Sequence, residues 1–107
     1  MRYRYEIDSL LAQNYNSDID LDFLAGKLFL SSKRVAVLIR SLYGKNFSQV
    51  KTEMRIQVAK QLLKETYLTV AAIGEKVGYN STRGFLNAFS KLTGNTPSEY
   101  RLHKKLN

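Results

Sequence analysis

The sequence predicts an all-α chain of seven helices, forming two helix-turn-helix subdomains joined by a long central helix. Three observations carry that prediction. The first is a near-repeat: Leu21, Leu24, Ala25 and Leu28 recur 49 residues later as Val70, Ile73, Gly74 and Val77. Val35, Ile39, Leu42 and the closing Gly44 recur 50 residues later as Phe85, Phe89, Leu92 and Gly94, with Ser31 and Lys33 matched by Ser81 and Arg83. One extra residue therefore lies in the second turn, and each copy reads as a short helix, a tight turn and a second helix. The second observation is that apolar residues fall at helical spacing, with no alternating stretch of useful length. The third is a scarcity of breakers, because Pro97 is the only proline and glycines number six.

The elements follow in order. Ile7, Leu10, Leu11 and Tyr15 share one face of a helix from Tyr5 to Tyr15. Asp18, Asp20 and Asp22 precede or open a second helix, Leu21 to Phe29, where acidic groups suit the N-cap and the positive end of the dipole. Their alternate spacing also suggests a calcium loop. Such a loop needs glycine at its sixth position and glutamate at its twelfth, where this chain has Phe23 and Phe29, so capping is the better reading. Ser31 or Ser32 caps the third helix, which ends near Tyr43 with Gly44 as its C-cap.

A fourth helix runs from Phe47–Ser48 to about Glu65, and its apolar residues cover much of its circumference: Val50, Met54, Val58 and Leu62 with Ile56, Ala59 and Leu63. A helix apolar on two sides packs against two bodies, so it is the predicted bridge. Thr69 starts the fifth helix and Ser81 or Thr82 caps the sixth, which runs through Thr93. Pro97 opens the last helix, where its missing N–H costs nothing, and Arg101, Lys104 and Lys105 lie towards the negative end of that helix. The predicted domain plan is lobe one over about residues 5–46, the linker helix over 47–65 and lobe two over 66–107.

Composition narrows the function. Lys+Arg 17 against Asp+Glu 9 gives +8, and the excess is uneven: +2 over residues 1–50 and +6 over residues 51–107. A basic small domain suits a polyanionic partner, because neutralised phosphates release condensed counterions. Absence of cysteine excludes disulfides, thiolate metal sites and a cysteine nucleophile. No apolar run approaches a membrane span and the start MRYRYEID lacks a signal-peptide core, so a cytoplasmic protein is expected. There is no Ser/His/Asp set, metal-ligand cluster or phosphate-cradling glycine loop, and the one histidine, His103, sits near the chain end. No enzyme, metal or cofactor is expected.

The stretch VGYNSTRGFLNAFSKLTGNTPSEYR, Val77 to Arg101, resembles the signature of AraC-type (AraC/XylS) bacterial transcription regulators. That pattern has valine-glycine-aromatic, serine, spaced aromatics with lysine, glycine, threonine-proline-serine and tyrosine-arginine. Upstream, LDFLAGKLFLSSKRVAVLIRSLYGKNF resembles the family's first helix-turn-helix and MRIQVAKQLLKET its central helix, so the resemblance covers residues 7–102. It implies two recognition helices entering successive major-groove segments of double-stranded promoter DNA. Those segments lie about 34 Å apart, a distance of the order spanned by a connector of about 27 Å plus lobe width. It implies RNA polymerase as a further partner and a bacterial, nucleoid-associated protein. Family members often carry an N-terminal effector-sensing or dimerising domain, which nothing here resembles; an excised domain is favoured over a compact single-domain regulator.

By position, Ser32 to Tyr43 and Thr82 to Thr93 are the recognition helices. Val35, Leu38, Ile39 and Leu42 are expected to face inward in the first, as are Phe85, Ala88, Phe89 and Leu92 in the second. The base-contact candidates are then Lys33, Arg34, Ala36 and Val37 in the first helix and Thr82, Arg83, Leu86 and Asn87 in the second. Phosphate-contact candidates are Ser31, Arg40, Arg55, Ser81 and Lys91. Arg55 is equally suited to an internal ion pair with Glu53, Glu65 or an aspartate of the first lobe. Many relatives carry arginine, the bidentate reader of guanine, at the positions of Val37 and Asn87. Here Ala36 and Val37 suit a thymine methyl and Asn87 suits adenine, which predicts a less guanine-dependent, A·T-rich target. The alternative is a helical protein-interaction module that has lost DNA reading, a doubt fed by the apolar Val37 and Leu86. Gly74, where relatives carry alanine, is mid-helix, and Gly74→Ala is expected to be neutral or stabilising.

Overall fold

The computed structural model describes residues 2–106 of the chain, and the side chains of residues 3–104. These residues form seven helices and no strand: α1 (Arg2–Asn14), α2 (Leu21–Leu28), α3 (Ser32–Tyr43), α4 (Phe47–Glu65), α5 (Val70–Lys76), α6 (Thr82–Thr93) and α7 (Pro97–Leu106). The all-α prediction holds; α3, α4 and α6 have the expected bounds, and the largest shift, three residues, is at the start of α1. Two compact units divide between Met54 and Arg55, inside α4, so the central helix contributes its first turns to one unit and its last turns to the other.

In the first unit, Ile7 and Leu11 of α1 meet Leu24 and Leu28 of α2 and Val35 and Ile39 of α3 in one buried cluster. Val50 of α4 is buried with them and Met54 packs against its edge. Each helix start is satisfied as its sequence requires. Asp20 accepts the Phe23 amide at 2.9 Å and Ser31 accepts the Arg34 amide at 3.1 Å. Asp22 accepts the Ser32 hydroxyl, tying the first turn of α2 to that of α3. Phe29 is the C-cap of α2 rather than its last helical residue, in the left-handed region at φ 58°.

In the second unit, Ile56, Ala59 and Leu63 of α4 are fully buried, as are Ile73, Val77, Phe85 and Phe89. A run of ring contacts, Tyr79–Phe85 at 5.6 Å, Phe85–Phe89 at 5.9 Å and Phe89–Tyr100 at 5.6 Å, connects the turn, α6 and α7. Two expectations fail here. Leu92 is 48% exposed rather than inward, because the last turn of α6 runs past the core that Phe85 and Phe89 fill. Gly74 is needed where alanine seemed sufficient. A Cβ there lies 2.8 Å from Phe85 Cδ2 and 3.0 Å from Phe85 Cβ, inside any carbon–carbon contact distance.

The duplication extends beyond the helix-turn-helix pairs. At the start of α4, Asn46 and Gln49 exchange reciprocal bonds, each backbone amide donating to the other's side chain at 3.0 and 2.9 Å. Fifty residues on, Thr96 and Glu99 make the same exchange at 2.8 and 3.1 Å, a capping box that holds the Glu99 carboxyl below its ordinary pKa. Two residues past each box a cation reaches back to carbonyls upstream of the unit's first helix-turn-helix helix. Lys51 Nζ donates to Ile19 O at 3.0 Å, and Arg101 donates to Leu63 O at 3.1 Å and Thr66 O at 3.3 Å. Arg101 therefore serves the C-terminal end of α4.

Candidate nucleic-acid interface

A recognition helix needs one face buried and the opposite face offered to solvent. In α3, Val35 and Ile39 are fully buried, and Lys33, Arg34, Val37 and Arg40 are exposed, with Ala36 half-buried between. In α6, Phe85 and Phe89 are fully buried, and Thr82, Arg83, Leu86, Asn87 and Lys91 are exposed. The inward and outward sets thus separate at helical period in both copies, Leu92 excepted. Val37 is 60% exposed, so its isopropyl group is offered to a partner rather than to the core.

The starts of both helices are held rigidly. Ser31 and Ser81 are the N-caps, and their hydroxyl oxygens accept the amides of Arg34 at 3.1 Å and Gly84 at 3.0 Å. A hydroxyl that accepts an amide keeps its own O–H to donate, which leaves both serines able to bond a phosphate oxygen. The remaining amides of the first turn sit at the positive end of the dipole, a setting that favours an anion. A polar recess of about 450 Å³ opens at the start of α6, lined by Ala71, Glu75, Tyr79, Asn80, Ser81 and Thr82.

Arg55 belongs to the second unit, half-buried, with its guanidinium 5.3 Å from the centre of the Tyr79 ring. Tyr79 lies two residues before Ser81, the cap of α6, so Arg55 braces the turn before the helix. Lys51 and Arg101 were not foreseen as loop ties; their shared offset of 50 residues was the available signal. Charge divides with the units. Residues 1–54 hold eight basic and six acidic side chains (+2), and residues 55–107 hold nine and three (+6). Among the described residues of the first unit, Arg4 pairs with Asp8, Lys45 with Glu53 and Lys51 with Asp18. Among the described residues no cluster of His, Cys, Asp or Glu could hold a metal, and no helix is long and apolar enough to cross a membrane.

Two capped recognition helices, each on a helix-turn-helix frame and each with cations on its outer face, define a paired helix-turn-helix DNA-binding domain. The helix-turn-helix domain family matches residues 24–103, and the chain belongs to its AraC-type branch of transcription regulators, which is not an enzyme family. It is 34% identical over 86 residues to the arabinose operon regulatory protein of Escherichia coli, a match that takes in 80% of this chain and 30% of that protein. The chain spans 12–31% of the length of the first curated relatives it matches. Its fold superposes on the C-terminal domain of the two-component response regulator yesN of Fusobacterium nucleatum with a TM-score of 0.87 at 28% identity, covering 94% of this chain and 99% of that one. An AraC-type transcriptional regulator of Chromobacterium violaceum gives a TM-score of 0.85 at 26% identity over 90% of this chain and 86% of its own.

Proposed function

We propose that this chain places a bacterial regulator on an asymmetric promoter site by inserting α3 and α6 into successive major-groove segments of one duplex. The observation that carries this reading is the matched pair of capped helices whose outer faces differ: Lys33, Arg34, Ala36 and Val37 against Thr82, Arg83, Leu86 and Asn87. Lys33, Arg34 and Arg83 contact base edges near the helix starts, and Ser31, Ser81, Arg40, Lys91 and Arg55 hold phosphates. Ala36 and Val37 meet thymine methyl groups and Asn87 reads adenine, giving an A·T-rich target. On this plan each lobe reads one half-site and α4 links them. The parent regulator acts in the cytoplasm, at the nucleoid, and activates by recruiting RNA polymerase under control of an N-terminal effector or dimerisation domain. These last roles rest on the family.

The test is fluorescence anisotropy with random and selected duplexes at 50 and 200 mM salt, conditions over which several phosphate contacts cost orders of magnitude in affinity. Steep loss with salt and tighter binding to the selected duplex support DNA reading. Binding that is absent or indifferent to salt overturns it and favours the protein-interaction module, for which the exposed Val37 and Leu86 would supply apolar contacts.

A further inference from the structure

We infer that the second recognition helix carries a blank reading position at Gly84, which makes the half-site under α6 degenerate at one base pair that its counterpart under α3 specifies. This rests on the DNA-reading proposal and deepens it.

The observation is a difference between positions that the repeat makes equivalent. At the offset of 50 residues, Lys33 corresponds to Arg83 and Arg34 corresponds to Gly84. Both Arg34 and Gly84 are the third helical residue, and the amide of each donates to the cap serine, at 3.1 Å in α3 and 3.0 Å in α6. Backbone placement is therefore shared, while the side chains are opposites. Arg34 is exposed at the end of the helix that meets base edges, and its planar guanidinium can pair with guanine O6 and N7 at once. Gly84 offers nothing to a base.

The blank is not forced by packing. A Cβ on Gly84 would meet only Ser81 Oγ at 3.2 Å and Tyr79 Cδ1 at 4.0 Å. The Ser81 contact belongs to the capping geometry itself, and α3 accommodates an arginine side chain over the same serine cap. Nor is glycine favoured by the helix, where it costs stability relative to alanine. Gly84 thus contrasts with Gly74, whose hydrogen is demanded by Phe85. With only a few tenths of an ångström of yield by the cap hydroxyl needed to admit a Cβ, and an unfavourable propensity, the remaining consequence is recognition: the half-site under α6 rests on the other outward residues, Thr82, Arg83, Leu86 and Asn87.

The experiment is selection of bound duplexes from a random pool by the wild-type chain, G84R, G84A and R34A. The inference expects G84R to gain a guanine preference at one position of the second half-site. Discrimination there should be roughly 5- to 150-fold over the wild type, the range of one bidentate pair. R34A should lose one preference in the first half-site only, and G84A should select as the wild type does while melting no lower. A G84R pool identical to the wild-type pool overturns the inference, as does a wild-type preference at the position that G84R would read. A wild-type pool with no enrichment sinks the DNA-reading proposal itself, an outcome distinct from both.

Discussion

Gly74→Ala should destabilise the second unit, against what helix propensity alone dictates. The methyl group would enter at 2.8, 2.9 and 3.0 Å from Phe85 Cδ2, Cγ and Cβ, where carbon pairs settle at about 3.5–4.0 Å. Phe85 cannot swing aside, because its Cβ is fixed to α6 and its ring lies between Tyr79 at 5.6 Å and Phe89 at 5.9 Å. Relief requires α5 and α6 to separate. Overpacking of this kind costs about 1–3 kcal/mol, and replacing a helical glycine returns about 0.5–1 kcal/mol. The net loss spans roughly 0–2.5 kcal/mol and centres near 1 kcal/mol, a fall in melting temperature of roughly 5–10 °C for a unit of this size class. Thermal melting by circular dichroism reads it directly. Gly26→Ala is the control: that glycine lies in α2 with nothing within 4 Å of its Cβ, so alanine should raise stability by up to about 1 kcal/mol. A Gly74→Ala protein that melts at or above the wild type would refute the close-approach reasoning.

Three further outcomes are expected. Phe29 holds a left-handed cap at φ 58° while 93% exposed, and 49 residues on the same place is filled by Gly78 at φ 108°. Phe29→Gly should raise the urea midpoint by the equivalent of about 0.5–1 kcal/mol, since strain is relieved and almost no packing is lost; a fall would show that the ring matters to the fold. Lys51→Met removes the bond to Ile19 O from a side chain only 14% exposed and should cost about 1–2 kcal/mol in denaturant unfolding. Asp18→Asn should change it little, because that carboxylate is fully exposed; equal effects would make the ion pair, rather than the carbonyl bond, the source. Arg83→Ala should weaken binding to a selected duplex far more than to a random one, whereas Lys91→Ala should weaken both and shallow the salt slope by about one unit. Equal losses of Arg83→Ala on both duplexes would move it to the phosphate class.

The repeat and its period made the seven helices and their caps legible, because those features are local: a serine before an apolar period, a glycine after it, a proline at a first turn. The inward and outward faces of α3 and α6 were legible for the same reason. What escaped were consequences of contact between elements. Leu92 satisfies the helical period, yet in the last turn of α6 about half of its surface stays exposed. Gly74 looked like a weak alanine until Phe85 was seen against it. Arg101 looked like a dipole partner for its own helix, and it is bonded instead to carbonyls at the end of α4. Of the interface, the candidate residues and their exposure could be foreseen from spacing. The brace of Arg55 on Tyr79 could not, because 24 residues separate them in the chain.

The two copies differ in a pattern that separates frame from message. Features that set the pose of a recognition helix are kept: the serine cap, the reciprocal box 15 residues further on, and the cation two residues beyond it. The residues doing each job vary in size and chemistry, as with Asn46 and Gln49 against Thr96 and Glu99, but the bonds are the same. Features that point outward from a fixed pose are not kept, as Arg34 against Gly84 and Val37 against Asn87 show. A pose conserved by different residues and a surface free to change are what allow one frame to carry two readings. Asymmetry of the target then follows from side chains alone, with no difference in backbone required. Exchanging the outward residues of α3 and α6 within their own caps should therefore exchange the half-site preferences and leave the melting curve close to that of the wild type.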